Sequence, residues 1–133
     1  MKIFFIVLAL VLILAGVMLV YVLGQFANAV TEAHGKALYT GVGAWTRVAE
    51  FARASGKPHY IAEADKNLAM LKRDLDHWKQ TAPKSTDFAA LEKLQSEAYA
   101  TTDSNIKKGD NPLAHLDLPD ETATTKPASN PAP

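Results

Sequence analysis

The sequence opens with an apolar run from Ile3 to Leu23, which reads IFFIVLALVLILAGVMLVYVL and contains no charged residue, no proline and no amide. At about 1.5 Å per residue, a helix over this run is roughly 31 Å long, which matches the hydrocarbon core of a bilayer. A single segment can satisfy its backbone hydrogen bonds there only as a helix. Tyr21 lies near the end of the run, where an amphipathic ring suits the membrane interface. The run therefore predicts a transmembrane helix at residues 1–24.

Two interpretations of the apolar run remain open. A cleaved signal peptide has an apolar core of about 7–15 residues, shorter than this run, although Ala27-Asn28-Ala29 is a suitable cleavage site. An uncleaved signal anchor fits the length better. Lys2 and the terminal amine precede the run, so the positive-inside rule predicts a cytoplasmic N-terminus. The rest of the chain is then expected outside the cytoplasmic (inner) membrane, in the periplasm if the cell is Gram-negative.

The composition narrows the classes of function. The chain has 133 residues, which leaves room for one small domain after the anchor, and its 14 basic residues balance 14 acidic ones. The sequence has no cluster of basic residues of the kind that binds nucleic acid. The chain contains no cysteine, which excludes disulfides, thiolate zinc sites and cysteine catalysis.

Apolar residues at helical spacing predict that a first helix continues from Gln25 to Ala54. They form a stripe, widened by Leu38 and Trp45, that consists of Phe26, Val30, Ala33, Ala37, Ala44, Val48 and Phe51. Three glycines, Gly35, Gly41 and Gly43, each cost up to about 1 kcal/mol inside a helix. A bend or short break is therefore expected around Tyr39–Gly43.

The clearest helical pattern after the anchor follows Ser55-Gly56-Lys57-Pro58, where Gly56 is a candidate C-cap and Pro58 can begin a second helix. Its apolar positions alternate by three and four residues and are Ile61, Ala64, Leu68, Leu71, Leu75 and Trp78. The pattern ends at Thr81-Ala82-Pro83. About three heptads lie at the lower limit for a coiled coil, so one face of a helical hairpin is the preferred interpretation.

A third, shorter helix is predicted to begin near Ser85-Thr86-Asp87, because all three side chains favour N-caps. Its apolar face consists of Phe88, Leu91, Leu94 and Ala98. It is expected to fray at Thr101–Asn105, where side-chain hydrogen bonds compete with the helix. Short connections favour antiparallel neighbours. The sequence thus predicts an all-α protein: a transmembrane helix, then an antiparallel hairpin or small three-helix bundle at residues 25–102.

The C-terminal part, residues 103–133, is predicted to be a disordered tail. It is rich in proline, threonine and alanine, which bury too little apolar surface to offset the cost of ordering. Leu113, Leu116 and Leu118 are an exception. They either dock on the hairpin, order on a partner, or remain apolar residues within a solvated spacer, which is the reading favoured here.

The histidines are the candidates for metal binding or catalysis. His59 and Glu63 are four residues apart on one helix face, and His77 follows Asp74 and Asp76. His34 lies near the membrane and His115 in the tail. Neither set reaches the three or four ligands that zinc needs. The chain also lacks nucleophile and phosphate-binding motifs, so we expect no catalysis, no cofactor and no metal site.

The pattern as a whole predicts a single-pass, membrane-anchored helical protein that acts by protein–protein contact, as an accessory or self-associating subunit. The expected interaction seam consists of Trp45, Phe51, Leu68, Leu71, Leu75 and Trp78. Its partners would be the lipid bilayer and either another protein or a second copy of the chain. Two alternatives remain: a secreted binding module released after Ala29, and a small metal- or ligand-sensing bundle that uses His59, Glu63 and His77.

Overall fold

The computed structural model describes residues 2–114, with side chains from residue 3 onward. Three helices make up this part of the chain: α1 (Lys2–Ser55), α2 (Pro58–Thr81) and α3 (Phe88–Lys107). No strand occurs between residues 2 and 114, and the predicted all-α class is confirmed. The predictions for His115, Leu116, Leu118 and most of the tail fall outside the described residues.

Helix α1 runs without interruption over 54 residues, a length of about 80 Å. The break expected around Tyr39–Gly43 is therefore wrong. Two of the glycines lie where a neighbouring helix approaches closely: a β-carbon on Gly35 would overlap the indole ring of Trp78, and one on Gly43 would overlap the backbone carbonyl of Gln95. Close packing at these points offsets the low helix propensity of glycine, which costs about 1 kcal/mol per residue relative to alanine.

Helix α2 returns along the second half of α1. Close to the turn between them, Arg53 Nη2 donates to Asp65 Oδ1 at 2.6 Å. At the other end of α2, Trp78 Nε1 donates to the carbonyl oxygen of Thr31 at 2.9 Å. Since the end of α1 meets the start of α2, and the end of α2 meets the middle of α1, the two helices are antiparallel.

Helix α3 reverses direction again and runs parallel to α1. Gln95 approaches Gly43, and further along both helices Arg47 Nε donates to Asp103 Oδ1 at 2.8 Å. Both α2 and α3 pack chiefly against α1. The result is a three-helix bundle in which the second half of α1 is the element shared by both contacts.

The turns between helices follow the expected local chemistry. Gly56 ends α1 with a φ of 69°, a left-handed conformation that glycine adopts at no steric cost. Pro58 then lies in the first turn of α2, where its missing N–H is not needed. The side chain of Asp87 caps α3 by accepting a hydrogen bond from the amide of Ala90 at 3.1 Å.

Helix α3 continues to Lys107, so the fraying expected at Thr101–Asn105 is wrong. The side chains there stabilise the helix instead of competing with it. Thr102 Oγ1 donates to the carbonyl of Ala98 at 2.8 Å, and Asp103 pairs with residues on both α1 and α3. The predicted start of the tail, at residue 103, accordingly falls inside α3.

The core of the bundle is one apolar cluster drawn from all three helices. Its buried members are Leu38, Tyr39, Val42, Val48, Ala49, Ala52, Ala64, Leu68, Leu75, Trp78, Leu91 and Leu113. Leu113 lies beyond α3 and is only 2% exposed, so this leucine docks on the bundle and is not part of a solvated spacer.

Candidate interaction surface

The large apolar side chains in the first part of α1, from Ile3 to Leu23, are all exposed. The exposed fractions between Ile3 and Leu23 range from 44% at Leu8 to 78% at Ile3. Within residues 2–114, α1 is the one helix that is long and apolar enough to cross a membrane, and its apolar end is near the N-terminus. The bundle begins beyond this segment, at about Thr31.

The six residues of the predicted seam come together inside the bundle. Leu68, Leu75 and Trp78 are buried, whereas Trp45, Phe51 and Leu71 are partly buried and pack against the same cluster. Their apolar surface is therefore largely covered by the chain itself. The three partly buried side chains are the members of the seam that remain open to another molecule.

Trp78 joins all three helices at the end of the bundle nearest the apolar segment. Its indole N–H bonds to Thr31 on α1. Its ring makes edge-to-face contacts with Tyr39 of α1, at 6.2 Å between centroids, and with Phe88 of α3, at 6.4 Å. Such aromatic pairs add about 0.5–1.5 kcal/mol beyond the burial of area. The indole hydrogen bond joins residues 47 positions apart in sequence.

Only the later part of the apolar stripe predicted along the first helix is buried in the bundle. Val48 is buried and Phe51 is partly buried, but Phe26 and Val30 are 67% and 53% exposed. Ala33 and Ala37 are exposed as well. The core uses a different face of α1, formed largely by Leu38, Tyr39, Val42, Ala49 and Ala52.

A charged cluster connects α1 to α3 near the far end of the bundle. The carboxylate of Asp103 accepts from Arg47 Nε at 2.8 Å and lies 2.6 Å from Lys107 Nζ. Tyr99 Oη donates to Glu50 Oε2 at 2.6 Å. The side chains of Arg47 and Asp103 are 19% and 25% exposed, so this pair is better shielded from water than most surface pairs.

The partners in this cluster shift one another's titration. Hydrogen bonds from Lys107 and then Arg47 lower the pKa of Asp103, and the bond to Asp103 raises the pKa of Arg47. The bond to Glu50 raises the pKa of Tyr99, because ionised tyrosine cannot donate it. All these shifts favour the protonation states that hold α3 against α1, which indicates a structural role.

A cleft at the opposite end of the bundle brings together two histidines that are distant in sequence. It has a volume of about 410 Å³ and is lined by His34, Arg73, Asp74, His77, Trp78 and Thr81. The sequence placed His34 near the membrane and His77 near Asp74, but it did not indicate that His34 and His77 share a cleft. Asp74 is already paired, since Arg73 Nε lies 3.5 Å from its Oδ1.

The remaining candidates for metal binding lie apart. His59 is exposed near the start of α2, almost the length of α2 away from His77. Glu63 accepts a long hydrogen bond, 3.5 Å, from Asn67 Nδ2. Within the described residues, no group of three or more histidine, cysteine or acidic side chains is arranged to hold a metal ion.

Comparison with protein-family models, with curated proteins and with solved structures gave no significant match. The function proposed below rests on the residues of this chain.

Proposed function

We propose that this chain is a single-pass, membrane-anchored helical protein that acts by protein–protein contact, as an accessory, scaffolding or self-associating subunit without catalysis. The observation that carries the proposal is the continuity of α1. One unbroken helix joins an apolar segment with exposed side chains to a bundle that has its own buried core. Such a helix holds the bundle at a fixed height above the bilayer surface.

The orientation proposed for the chain follows from charge. Lys2 directly precedes the apolar segment, whereas the first basic residue on its other side is Lys36, well removed from the end of the segment. The positive-inside rule then favours a cytoplasmic N-terminus. The bundle would lie outside the cytoplasmic membrane, which is the periplasm in a Gram-negative cell.

Contact with another protein is supported by the surface of the bundle. The partly buried seam residues, Trp45, Phe51 and Leu71, border the core, and α1 carries further apolar side chains that neither α2 nor α3 covers. Apolar groups that stay exposed beside a packed core are typical of surfaces that bind other proteins. The charged cluster on α1 and α3 serves to hold this surface together.

Single-cysteine labelling tests the anchoring and the orientation, because the natural chain has no cysteine. A cysteine inserted between Met1 and Lys2, which keeps the charge of Lys2, and Glu92→Cys would be made separately in the full chain; Glu92 is exposed on α3. In intact cells with a permeabilised outer membrane, we expect a membrane-impermeant maleimide to label the Glu92→Cys chain. The chain with the inserted cysteine should react only after lysis, and both chains should stay in the membrane pellet after a carbonate wash.

Intact mass measured on the same preparations decides between the anchor and the secreted alternative. A chain that retains its N-terminus supports the proposal. A mature chain that begins at Val30 and is released by osmotic shock would overturn it in favour of a secreted binding module. Labelling of both cysteines on the same side of the membrane would instead contradict the single-pass topology.

A further inference from the structure

Part of the apolar pattern on α1 has no partner within the described chain. We call this part the α1 stripe; it consists of Phe26, Val30, Ala33, Ala37, Thr40 and Ala44. The spacing alternates four and three residues, which is the heptad pattern of two helices that pair side by side. Phe26 and Val30 are 67% and 53% exposed, and Ala33, Ala37 and Thr40 are also exposed.

The packing of the bundle explains why the stripe stays uncovered. α2 approaches α1 at Gly35 and Gly41, and α3 approaches it at Gly43 and Arg47. At about 100° per residue, Gly35 and Gly43 point well away from the centre of the α1 stripe, while Gly41 and Arg47 lie about 60° to either side of it and mark its edges. A cleft of about 350 Å³ opens beside the stripe, with Thr40 and Ala44 on one side and residues of α3 on the other. A further helix therefore has room to lie against α1.

The heptad spacing continues from the α1 stripe into the apolar segment, through Leu23, Leu19, Gly16 and Leu12. Gly16 is informative because a β-carbon there would meet nothing within 4 Å. The glycines within the bundle at positions 35 and 43 are explained by close neighbours, whereas Gly16 has none in the described chain. Small residues on a membrane helix allow a second helix to approach closely, and neither α2 nor α3 lies at Gly16.

The area of the α1 stripe indicates what kind of partner can form a stable interface with it. From Phe26 to Ala44 it is about 27 Å long, and with a helix about 10 Å wide it presents roughly 270 Å². This is about a third of the 800 Å² per partner in a stable interface between soluble proteins. A partner that also pairs along the membrane segment, and that the bilayer has already aligned, loses less orientational freedom on binding.

A second copy of the chain meets these conditions without any additional assumption. Two copies inserted in the same direction present the same stripe at the same height, in parallel and in register. The stripe carries no charge, and the nearest lysine, Lys36, is paired with Glu32 on its own helix. No like charges therefore face each other when the stripe meets its copy.

We propose that two copies of the chain pair in parallel along the α1 stripe and its continuation through Leu12, Gly16, Leu19 and Leu23, with a two-fold axis perpendicular to the membrane. This inference rests on the proposed membrane anchoring and specifies the partner of the contact surface.

Disulfide trapping in native membranes tests the pairing directly. Four single-cysteine variants of the full chain would be oxidised gently: Ala33→Cys and Ala37→Cys on the stripe, and Gln25→Cys and Asn28→Cys as exposed controls on other faces of the same helix. A parallel, in-register pair brings identical stripe positions within disulfide distance. We expect covalent dimers of the stripe variants to form on the order of tenfold faster than those of the controls.

The outcomes separate this inference from the proposed function. Equal rates at all four sites would show random collisions and would overturn the pairing, while recovery of the chain in carbonate-washed membranes would still support the anchor. A photo-crosslinking amino acid at position 37 identifies the occupant. A product of twice the mass supports the second copy. A crosslink to a different protein would overturn the pairing of two copies but would still agree with the proposed protein–protein contact. A crosslink to residues 115–133 of the same chain would also overturn the pairing.

Discussion

At the scale of single residues, the glycines show how one residue type serves three different purposes in this chain. Gly35 and Gly43 let neighbouring helices approach α1. Gly56 and Gly109 adopt φ angles of 69° and 96° at the ends of α1 and α3. A β-carbon on Gly16 or Gly24 would meet nothing within 4 Å. Substitution by alanine should therefore have different effects at different positions.

We expect Gly43→Ala to lower the free energy of unfolding by about 1–3 kcal/mol, the usual cost of overpacking a well-packed site. The new methyl group would overlap the carbonyl of Gln95, which is backbone and cannot rotate away. Thermal unfolding of the full chain in detergent micelles, followed by circular dichroism, measures the effect. Gly24→Ala is the matched control, since its methyl group meets nothing, and it should leave the bundle unchanged. Equal stability of both variants would refute the close approach of α1 and α3.

The sequence could not distinguish these roles because helix propensity is a local quantity. Three glycines within nine residues indicate a weak helix when only neighbours in sequence are considered. What stabilises α1 there comes from Trp78 and Gln95, on other helices. The shared cleft of His34 and His77 was missed for a similar reason, since it depends on how α2 lies against α1.

At the scale of helices, the charged cluster makes the contact between α1 and α3 sensitive to pH. The pKa of Asp103 is lowered in the folded chain, from an ordinary value of 3.8. Its contribution to stability is therefore present above that value and is lost as the pH falls through the folded pKa. We expect the melting temperature to fall as the pH drops below about 4, with a shallower dependence in the Asp103→Asn variant.

The same argument with the opposite sign applies to Tyr99, whose pKa is raised above its ordinary value of 10.0 by the bond to Glu50. The contribution of Tyr99 to stability is present below that value and is lost at higher pH.

Circular dichroism melts of the full chain across the acidic range test the prediction for Asp103, with Asp76→Asn as a control because Asp76 is exposed on α2. If both asparagine variants follow the pH curve of the unmodified chain, Asp103 does not stabilise the contact.

The helices themselves were largely predictable, because their starts and stops are encoded locally. Asp87 caps α3 and Pro58 begins α2, as their sequence context indicates. The face of α1 that becomes buried was harder to predict. Phe26, Val30 and Ala33 continue the stripe of Val48 with correct helical spacing, yet the bundle begins only at about Thr31. A periodic pattern shows that a face is apolar, but not which partner covers it.

At the scale of the whole molecule, the part of the tail that matters for stability is short. Leu113 is 2% exposed, and its amide donates to Asn111 Oδ1 at 3.0 Å. Deleting residues from Asn111 onward should therefore destabilise the bundle by about 1.5–3 kcal/mol, the value of one buried leucine. This corresponds to a loss in melting temperature on the order of 10 °C.

Deletion of residues 120–133 is the matched control, and it should leave the melting temperature unchanged. Leu113→Ala in the full chain should reproduce most of the effect of the longer deletion. If the longer deletion has no effect, Leu113 does not contribute to the core. If the shorter deletion destabilises the bundle, residues beyond 119 contribute to it as well, contrary to the composition of that segment.

The overall architecture was the most predictable level, because one apolar run and three amphipathic segments leave few arrangements for so short a chain. The seam on α2 was also visible as a pattern, since Leu68, Leu75 and Trp78 repeat at helical spacing. What the pattern could not show is that the chain's own α1 covers most of it. A buried interface within a chain and one between chains have the same apolar periodicity.

The unbroken path of α1 makes the chain a stiff lever. Between Leu23 and Ser55 there is neither a hinge nor a swivel, and this section is about 48 Å long. With its apolar end held in a bilayer, a tilt of about 20° would carry the far end sideways by roughly 16 Å. Rotation of the membrane segment about its axis would likewise turn the whole bundle by the same angle. A tilt of that size in the membrane segment would thus be transmitted to the outermost turn as a displacement larger than the width of a helix.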